Sequence, residues 1–144
     1  MLNSGGAAWS GEELGLLGSN FWTMHAVNPH DSGATLSSRV LAYLNFDMVG
    51  RMQDSVSIYG VGSSSIWPRE IEAANVSIGL AIQPHQESSL PTDATSFYNQ
   101  QIPTLAAFTG AHTDYHTPTD TSEKLDYEGL RDIALLMSRI STSL

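Results

Sequence analysis

The clearest hydrophobic pattern lies at the C-terminal end of the chain. Between Asp120 and Ser141 apolar residues recur every three or four positions, and this spacing predicts an amphipathic α-helix. Asp120 or Thr121 is expected to cap its leading turn. The residues predicted to face inward are Leu130, Ile133, Leu136, Met137 and Ile140.

Shorter patterns predict strands and helices along the rest of the chain. In residues 12–26, Leu14, Leu17 and Phe21 are spaced as on one face of a helix. Short apolar runs bounded by turn residues indicate strands, of which the first two are expected to pair with each other. The predicted strands cover residues 39–50, 55–64, 80–85 and 102–111.

Two further helices fit between these strands. Residues 65–79 are typical of a helix because Pro68 suits a first turn and Gly79 suits a C-terminal cap. Residues 91–101 predict a polar turn followed by a short helix. Alternating strands and helices in 144 residues indicate a single layered α/β domain with a mixed or largely parallel sheet. In such sheets the binding and catalytic residues commonly lie beyond the carboxyl ends of the strands.

Composition narrows the chemistry that these strand ends can carry. The chain has no cysteine, so any bound metal must be held by His, Asp and Glu. A net charge of -9 argues against a nucleic-acid partner. No segment approaches the ~18 uninterrupted apolar residues of a membrane span, and the first residues lack the pattern of a signal peptide.

One acidic residue closes an apolar strand. Asp47 ends the run LNFD, where a buried carboxylate costs several kcal/mol unless it is paired, hydrogen-bonded or bound to a metal. Arg51 is the nearest cation in the sequence. A metal ligand, a salt bridge and a backbone-bonded turn residue are all compatible with this position.

Two adjacent glutamates, in WSGEELGLLGS, follow residues 7–11, which resemble the end of a further strand, and begin the predicted helix of residues 12–26. A helix N-terminus favours acids by ~0.3–1 kcal/mol each, which is one explanation for Glu12 and Glu13. The other explanation gives the two carboxylates different roles: one binds a metal, and its neighbour acts as a general base.

The last predicted strand is followed by the polar loop HTDYHTPTD. It offers His112, Asp114, His116 and Asp120, and Pro118 argues against a helix that would place both histidines on one face. A loop that ends in a helix cap and a loop that supplies one histidine ligand both fit this pattern. The other histidines, expected at the surface, are His25, His30 and His85.

Taken together, four blocks resemble the co-catalytic zinc aminopeptidases of metallopeptidase family 28, clan MH. The blocks are WSGEELGLLGS, LNFDMVGR, TDATSFYNQQIPTL and HTDYHTPTDTSEKLDYEGL. Their order and spacing match the catalytic, C-terminal portion of that family over essentially the whole chain. The resemblance implies a three-layer α/β/α sandwich around a mixed sheet.

The resemblance also implies roles for individual residues. Glu12 would be the general base, Glu13 and His116 would share one metal ion, and Asp47 would bind a second. Where the family has Ser-Asp-His this chain has Thr92-Asp93-Ala94, so that block is altered. The residues expected to contact substrate or to support the ligands are Asp93, Phe97, Tyr115 and Asp120.

The family's remaining ligands, a histidine and a bridging aspartate, precede the glutamate pair, and this chain begins after that segment. We therefore expect one or two weakly bound zinc ions, an open sheet edge and an uncovered apolar face. A homo-oligomer could cover that edge. The alternative ligands are His30 with Asp31, and His112 with Asp114.

The implied activity is hydrolysis of N-terminal peptide bonds, with Glu12 deprotonating metal-bound water and a peptide with a free N-terminus as substrate. The family also implies a secreted or periplasmic protein. The alternative is a non-catalytic or weakly metal-binding remnant of the scaffold that self-associates or binds peptides, and a glutaminyl-cyclase-like reaction is a third possibility. Trp9, Trp22, Phe97 and Tyr115 would line an apolar pocket or pack in the core.

Overall fold

The computed structural model describes residues 5–27 and 34–144 and contains four helices and four strands in these ranges. The helices are α1 (Leu17–His25), α2 (Trp67–Asn75), α3 (Ala94–Tyr98) and α4 (Tyr127–Ser143). The strands are β1 (Tyr43–Phe46), β2 (Val56–Tyr59), β3 (Ile82–Pro84) and β4 (Thr104–Phe108). Single 3₁₀ turns cover Leu36–Ser38, Val61–Ser63 and Ser122–Lys124.

The strands form one mixed sheet in the order β1-β4-β2-β3. β4 runs parallel to β1 and antiparallel to β2, while β2 and β3 are parallel. The prediction that β1 and β2 pair with each other is therefore wrong. The last strand, β4, lies between them because its buried residues supply apolar contacts that two short half-buried strands lack.

Helices cover both faces of this sheet. On one face α2 and α4 pack on Ile58 of β2 and Leu105 of β4, around the fully buried Trp67. On the other face α3 contacts β1 and β4, and α1 packs against α3. The smaller core on that side contains Phe97 and Ile102. The predicted three-layer α/β/α arrangement is confirmed.

The predicted inward face of α4 is confirmed at four of its five positions. Ile133, Leu136, Met137 and Ile140 are buried, and Leu130 is half-buried. The N-cap of α4 differs from the prediction. The Asp126 carboxylate accepts the Gly129 N–H at 3.0 Å, and the helix begins at Tyr127, directly after Asp126. Thr121 precedes the separate 3₁₀ turn, without a side-chain cap hydrogen bond.

Helix α1 is shorter than predicted and turns a different face inward. Residues 12–16 form turns rather than helix, and the face packed on α3 is small and polar, with Ser19 only 2.8 Å from Ser96 between their hydroxyl oxygens. The apolar positions that suggested the helix are 77% (Leu14), 55% (Leu17) and 66% (Phe21) exposed. None of the helices in the described part of the chain is long and apolar enough to cross a membrane.

Candidate active site

One cleft collects the residues that follow the strand ends. It has a volume of about 470 Å³ and is partly open to solvent. Glu12 and Glu13 come from the turns before α1, Asp47 directly follows β1, and His116 comes from the loop after β4. The full lining is Glu12, Glu13, Asp47, Met48, Gly50, Arg51, Pro91, His112, Tyr115, His116, Asp120 and Leu125.

Glu12, Glu13, Asp47 and His116 are the four central residues of this cleft. Two of them, which the family resemblance implies share a metal ion, are in direct contact. Nε2 of His116 lies 2.9 Å from Oε1 of Glu13, although 103 positions separate them in the chain. Tyr115 stacks on the His116 ring, with the ring centroids 3.8 Å apart, and burial and the nearby charge of Glu13 raise the pKa of its hydroxyl. These contacts fix the imidazole and the carboxylate against each other.

Backbone conformation helps to aim two of these side chains. His116 has a φ of 56°, and Met48, which follows Asp47, has a φ of 48°. Non-glycine residues adopt this left-handed region rarely, because the Cβ atom crowds the backbone at a cost of roughly 1–2 kcal/mol. Such conformations are concentrated at functional sites, where surrounding contacts hold them.

The electrostatics of the cleft are dominated by its carboxylates. Burial raises the pKa of Glu12, and the charges of Glu13, Asp47 and Asp93 raise it further, while His116 opposes them. Burial likewise raises the pKa of Asp47, with added repulsion from Glu13 and Asp93, against a hydrogen bond from the Met48 backbone. The cleft therefore concentrates negative charge in a way that favours a bound cation.

Asp93 and Phe97, both on or beside α3, do not line this cleft. Asp93 is the residue that precedes the helix, and its Oδ1 is buried without a hydrogen-bond partner among the described residues. Phe97 is buried and stacks on Tyr43, with ring centroids 3.9 Å apart and the planes 2° from parallel. Trp9 and Trp22 contact the same phenyl ring; Trp9, Tyr43 and Phe97 form part of the smaller core, whereas Trp22 remains 38% exposed.

Arg51 does not neutralise Asp47. Its guanidinium pairs with Asp114, 3.5 Å away, and more closely with Asp120. Among the described residues the salt-bridge explanation for Asp47 therefore fails at Arg51, whereas the backbone hydrogen bond from Met48 agrees with the turn explanation.

Of the alternative histidine and aspartate ligands, Asp114 is engaged by other side chains, His112 keeps one ring nitrogen unpaired among the described residues, and two lie outside those residues. Asp114 accepts hydrogen bonds from Lys124 at 2.6 Å and Thr119 at 2.7 Å. Nδ1 of His112 is buried without a partner, and its Nε2 lies 3.9 Å from Asp120. His30 and Asp31 lie outside the described residues. Across residues 5–27 and 34–144 no three His, Asp or Glu side chains are arranged to hold one metal ion.

The remaining described histidines lie outside the cleft. His25 is exposed and stacks on Phe21, with the ring centroids 4.2 Å apart. His85 is half-buried and stacks on Tyr59 at 4.3 Å. The prediction of a surface position is thus confirmed for His25, and His85 is partly covered by its neighbours.

Comparison with known proteins identifies the family. Residues 7–141 match the sequence model of peptidase family M28. The chain belongs to this family. Its match to family M28 extends over nearly the whole chain and includes all four central residues of the cleft.

Two similar curated proteins are fungal. A probable leucine aminopeptidase 2 of Aspergillus oryzae is 31% identical over 113 residues, which cover 72% of this chain and 21% of the relative. A leucine aminopeptidase 2 of Trichophyton rubrum is 32% identical over 115 residues, covering 73% and 22%. The chain thus spans about a fifth of the length of these curated relatives.

Two solved structures share the fold of this chain. A zinc aminopeptidase from Bacillus subtilis, BSAP, superimposes with a TM-score of 0.75 at 22% identity, over 94% of this chain and 34% of its own. The LapA aminopeptidase of Legionella pneumophila has a TM-score of 0.69 at 16% identity, over 93% and 37%. These similarities support the α/β/α architecture.

The sequence suggested Arg51 only as a partner for Asp47. Its contacts with residues 111–121, the histidine loop that carries His116, were not predicted. The signal available was the scarcity of cations, since the chain has six Lys and Arg against fifteen Asp and Glu. A basic residue four positions after a candidate ligand is therefore an uncommon feature here, but its partners depend on the folded path of the loop after β4.

Proposed function

We propose that this chain carries the catalytic base and part of the metal site of an aminopeptidase that hydrolyses N-terminal peptide bonds. The observation that carries the proposal is the 2.9 Å contact between Glu13 and His116 in the same acidic cleft as Glu12 and Asp47. M28 membership and relatives described as leucine aminopeptidases support the same reaction.

The donor atoms of the cleft fit zinc in kind. Carboxylate oxygen and imidazole nitrogen are both zinc ligands, and a divalent cation would offset the repulsion that, in addition to burial, raises the pKa values of Glu12 and Asp47. Glu13 and His116 would hold one ion, and Asp47 would contribute to a second. When bound, zinc would supply Lewis-acid polarisation of the scissile carbonyl and would lower the pKa of the attacking water.

Glu12 has the position and the environment of a general base. It is half-buried beside Glu13, and its raised pKa brings it closer to neutral pH, where proton transfer in both directions is efficient. In the proposed reaction Glu12 takes a proton from the attacking water. It then returns that proton to the nitrogen that leaves as the peptide bond breaks.

The remaining walls of the cleft would bind the substrate. The concentration of carboxylates suits the α-ammonium group of a peptide with a free N-terminus. Met48, Pro91 and Leu125 add apolar surface that would contact the first side chain of such a peptide.

The first test is metal dependence. We expect the chain to hydrolyse leucine p-nitroanilide, to lose this activity when metal is removed by a chelator, and to recover it when zinc or cobalt is added back. Absence of turnover at every metal concentration would contradict the proposal for this chain. Zinc binding measured by calorimetry in the same samples would then show whether a non-catalytic, metal-binding scaffold is the better description.

The adjacent glutamates provide a matched pair of variants for the same test. Glu12→Gln is expected to reduce kcat by about 10²–10⁴-fold while zinc binding is retained, because the variant loses the base and keeps the ligands. Glu13→Gln is expected to lower kcat and, unlike Glu12→Gln, also to weaken zinc binding. Equal zinc affinity in the two variants would contradict the division of roles.

A further inference from the structure

Arg51 connects the two segments that carry Asp47 and His116. It follows Asp47 by four residues, and its guanidinium reaches Asp114 and Asp120, which flank His116 in the loop after β4. The side chains of Arg51 and Asp114 are each only 17% exposed. A paired, forked contact of this kind is more restrictive than an isolated surface ion pair.

The histidine loop needs such a restraint. Residues 111–121 form turns and bends rather than helix or strand, and His116 adopts the unfavourable left-handed conformation at its centre. Asp114 organises the loop from within, because its backbone carbonyl accepts the Thr117 N–H at 3.0 Å. Its carboxylate accepts hydrogen bonds from Thr119 and Lys124. Restraining Asp114 therefore restrains the residues on both sides of His116.

The other end of the connection is fixed to the sheet. The backbone N–H of Arg51 donates to the Thr109 hydroxyl at 3.2 Å. Thr109 in turn donates its backbone N–H to the Met48 carbonyl at 3.1 Å, and its hydroxyl bonds to the same carbonyl. Arg51 is thus held at the point where the chain segments leaving β1 and β4 run side by side.

We propose that Arg51 is a positioning residue that sets the distance between the Asp47 segment and the His116 loop, and so keeps the imidazole against Glu13. It acts through Asp114 and Asp120, because neither Glu13 nor His116 is among its ion-pair or hydrogen-bond partners in the described residues. The proposal rests on the proposed function in treating Glu13 and His116 as ligands of one zinc ion. Its structural part concerns the loop alone.

The test compares Arg51→Gln, Arg51→Lys, Asp120→Asn and the double variant Arg51→Gln/Asp120→Asn. Arg131→Gln is the matched control, because Arg131 also pairs with a neighbouring aspartate but lies on α4 and outside the cleft. For each protein we would measure zinc affinity by calorimetry, amide hydrogen exchange across the chain, and kcat and KM for leucine p-nitroanilide.

Arg51→Gln is expected to bind zinc about 10–100-fold more weakly, as is usual when a group that orients a ligand is removed. Hydrogen exchange should become faster in residues 111–121 and remain unchanged in α2 and α4. Arg51→Lys should recover only part of the loss, because an ammonium group cannot bridge two carboxylates as a guanidinium does. The double variant should be no weaker than Arg51→Gln alone if the two residues act as one unit.

Two results would overturn the proposal. One is wild-type zinc affinity and wild-type loop exchange in Arg51→Gln. The other is faster exchange throughout the chain, which would indicate a general role in stability. If the wild-type chain itself neither binds zinc nor turns over substrate, the proposed function fails, and the exchange of residues 111–121 still decides whether Arg51 restrains the loop.

Discussion

At the scale of single residues, Glu12 and Asp47 differ from ordinary surface acids because folding partly buries them and places them near other carboxylates. Burial and neighbouring charges raise the pKa of each side chain in the folded protein. The folded state consequently holds these protons more tightly than the unfolded state does. The free energy of unfolding of the metal-free protein should therefore fall as pH rises above about 4, where the same groups ionise in the unfolded chain.

Glu12→Gln and Asp47→Asn should remove this pH-dependent destabilisation. In the presence of a chelator we expect both variants to melt at a higher temperature than the wild type at pH 7–8. The difference should shrink toward pH 4, where the wild-type carboxyl groups are protonated. Thermal unfolding followed by circular dichroism across this range measures the effect.

The control for this series is Glu87→Gln, which removes an exposed glutamate that does not line the cleft. Its melting temperature should follow that of the wild type at each pH. A difference between wild type and Asp47→Asn that stays constant from pH 4 to pH 8 would contradict the electrostatic explanation.

At the scale of elements, helix α4 shows how much a regular pattern can predict. Its apolar spacing identified the buried face correctly, because residues three and four apart share a side of any α-helix. The position of its N-terminus was harder to predict, since several side chains near Asp120 are able to cap a helix. The structure places Asp126 in that role, with Gly50 accepting the Asp126 N–H at 2.9 Å.

Asp126→Ala should lower the free energy of unfolding by about 1 kcal/mol, the usual effect of losing an N-cap side chain. Thr121→Ala, which alters the residue before the 3₁₀ turn, should have a smaller effect because its side chain makes no cap hydrogen bond there. Urea denaturation of the two variants and the wild type measures both changes. Equal losses would show that the cap at Asp126 is not the main support of the helix start.

At the scale of the whole molecule, the outer face of α1 is unusually apolar. Leu14, Leu17, Phe21 and Met24 are 55–77% exposed and follow one another along the helix and the turn before it. Exposed apolar patches on soluble proteins commonly mark contact surfaces. This surface, together with the edge strand β1, agrees with the expected homo-oligomer, which remains a prediction.

We expect the chain to self-associate as its concentration rises, with a sedimentation coefficient that increases accordingly. The double variant Leu17→Glu/Phe21→Glu should remain monomeric, because charges on this face would be desolvated by association. Val76→Glu changes an apolar residue directly after α2 that is 80% exposed, and this variant should associate as the wild type does. A wild-type chain that is monomeric at every concentration would contradict the prediction.

The local features of this protein follow from its amino-acid sequence alone. The helical spacing in α4, the proline in the first turn of α2 and the acidic residues at strand ends all reflect interactions between near neighbours, and those can be read from a pattern. The order and spacing of the motif blocks also group Glu12, Glu13, Asp47 and His116 into one candidate set.

How distant segments meet depends instead on the folded chain as a whole. Folding places β4 between β1 and β2, turns the polar face of α1 inward, and directs Arg51 to Asp114 and Asp120 rather than to Asp47. These outcomes depend on which packing of the entire chain buries the most apolar surface while satisfying its buried polar groups. Local periodicity contains no information on that competition, because each segment taken alone is compatible with several partners.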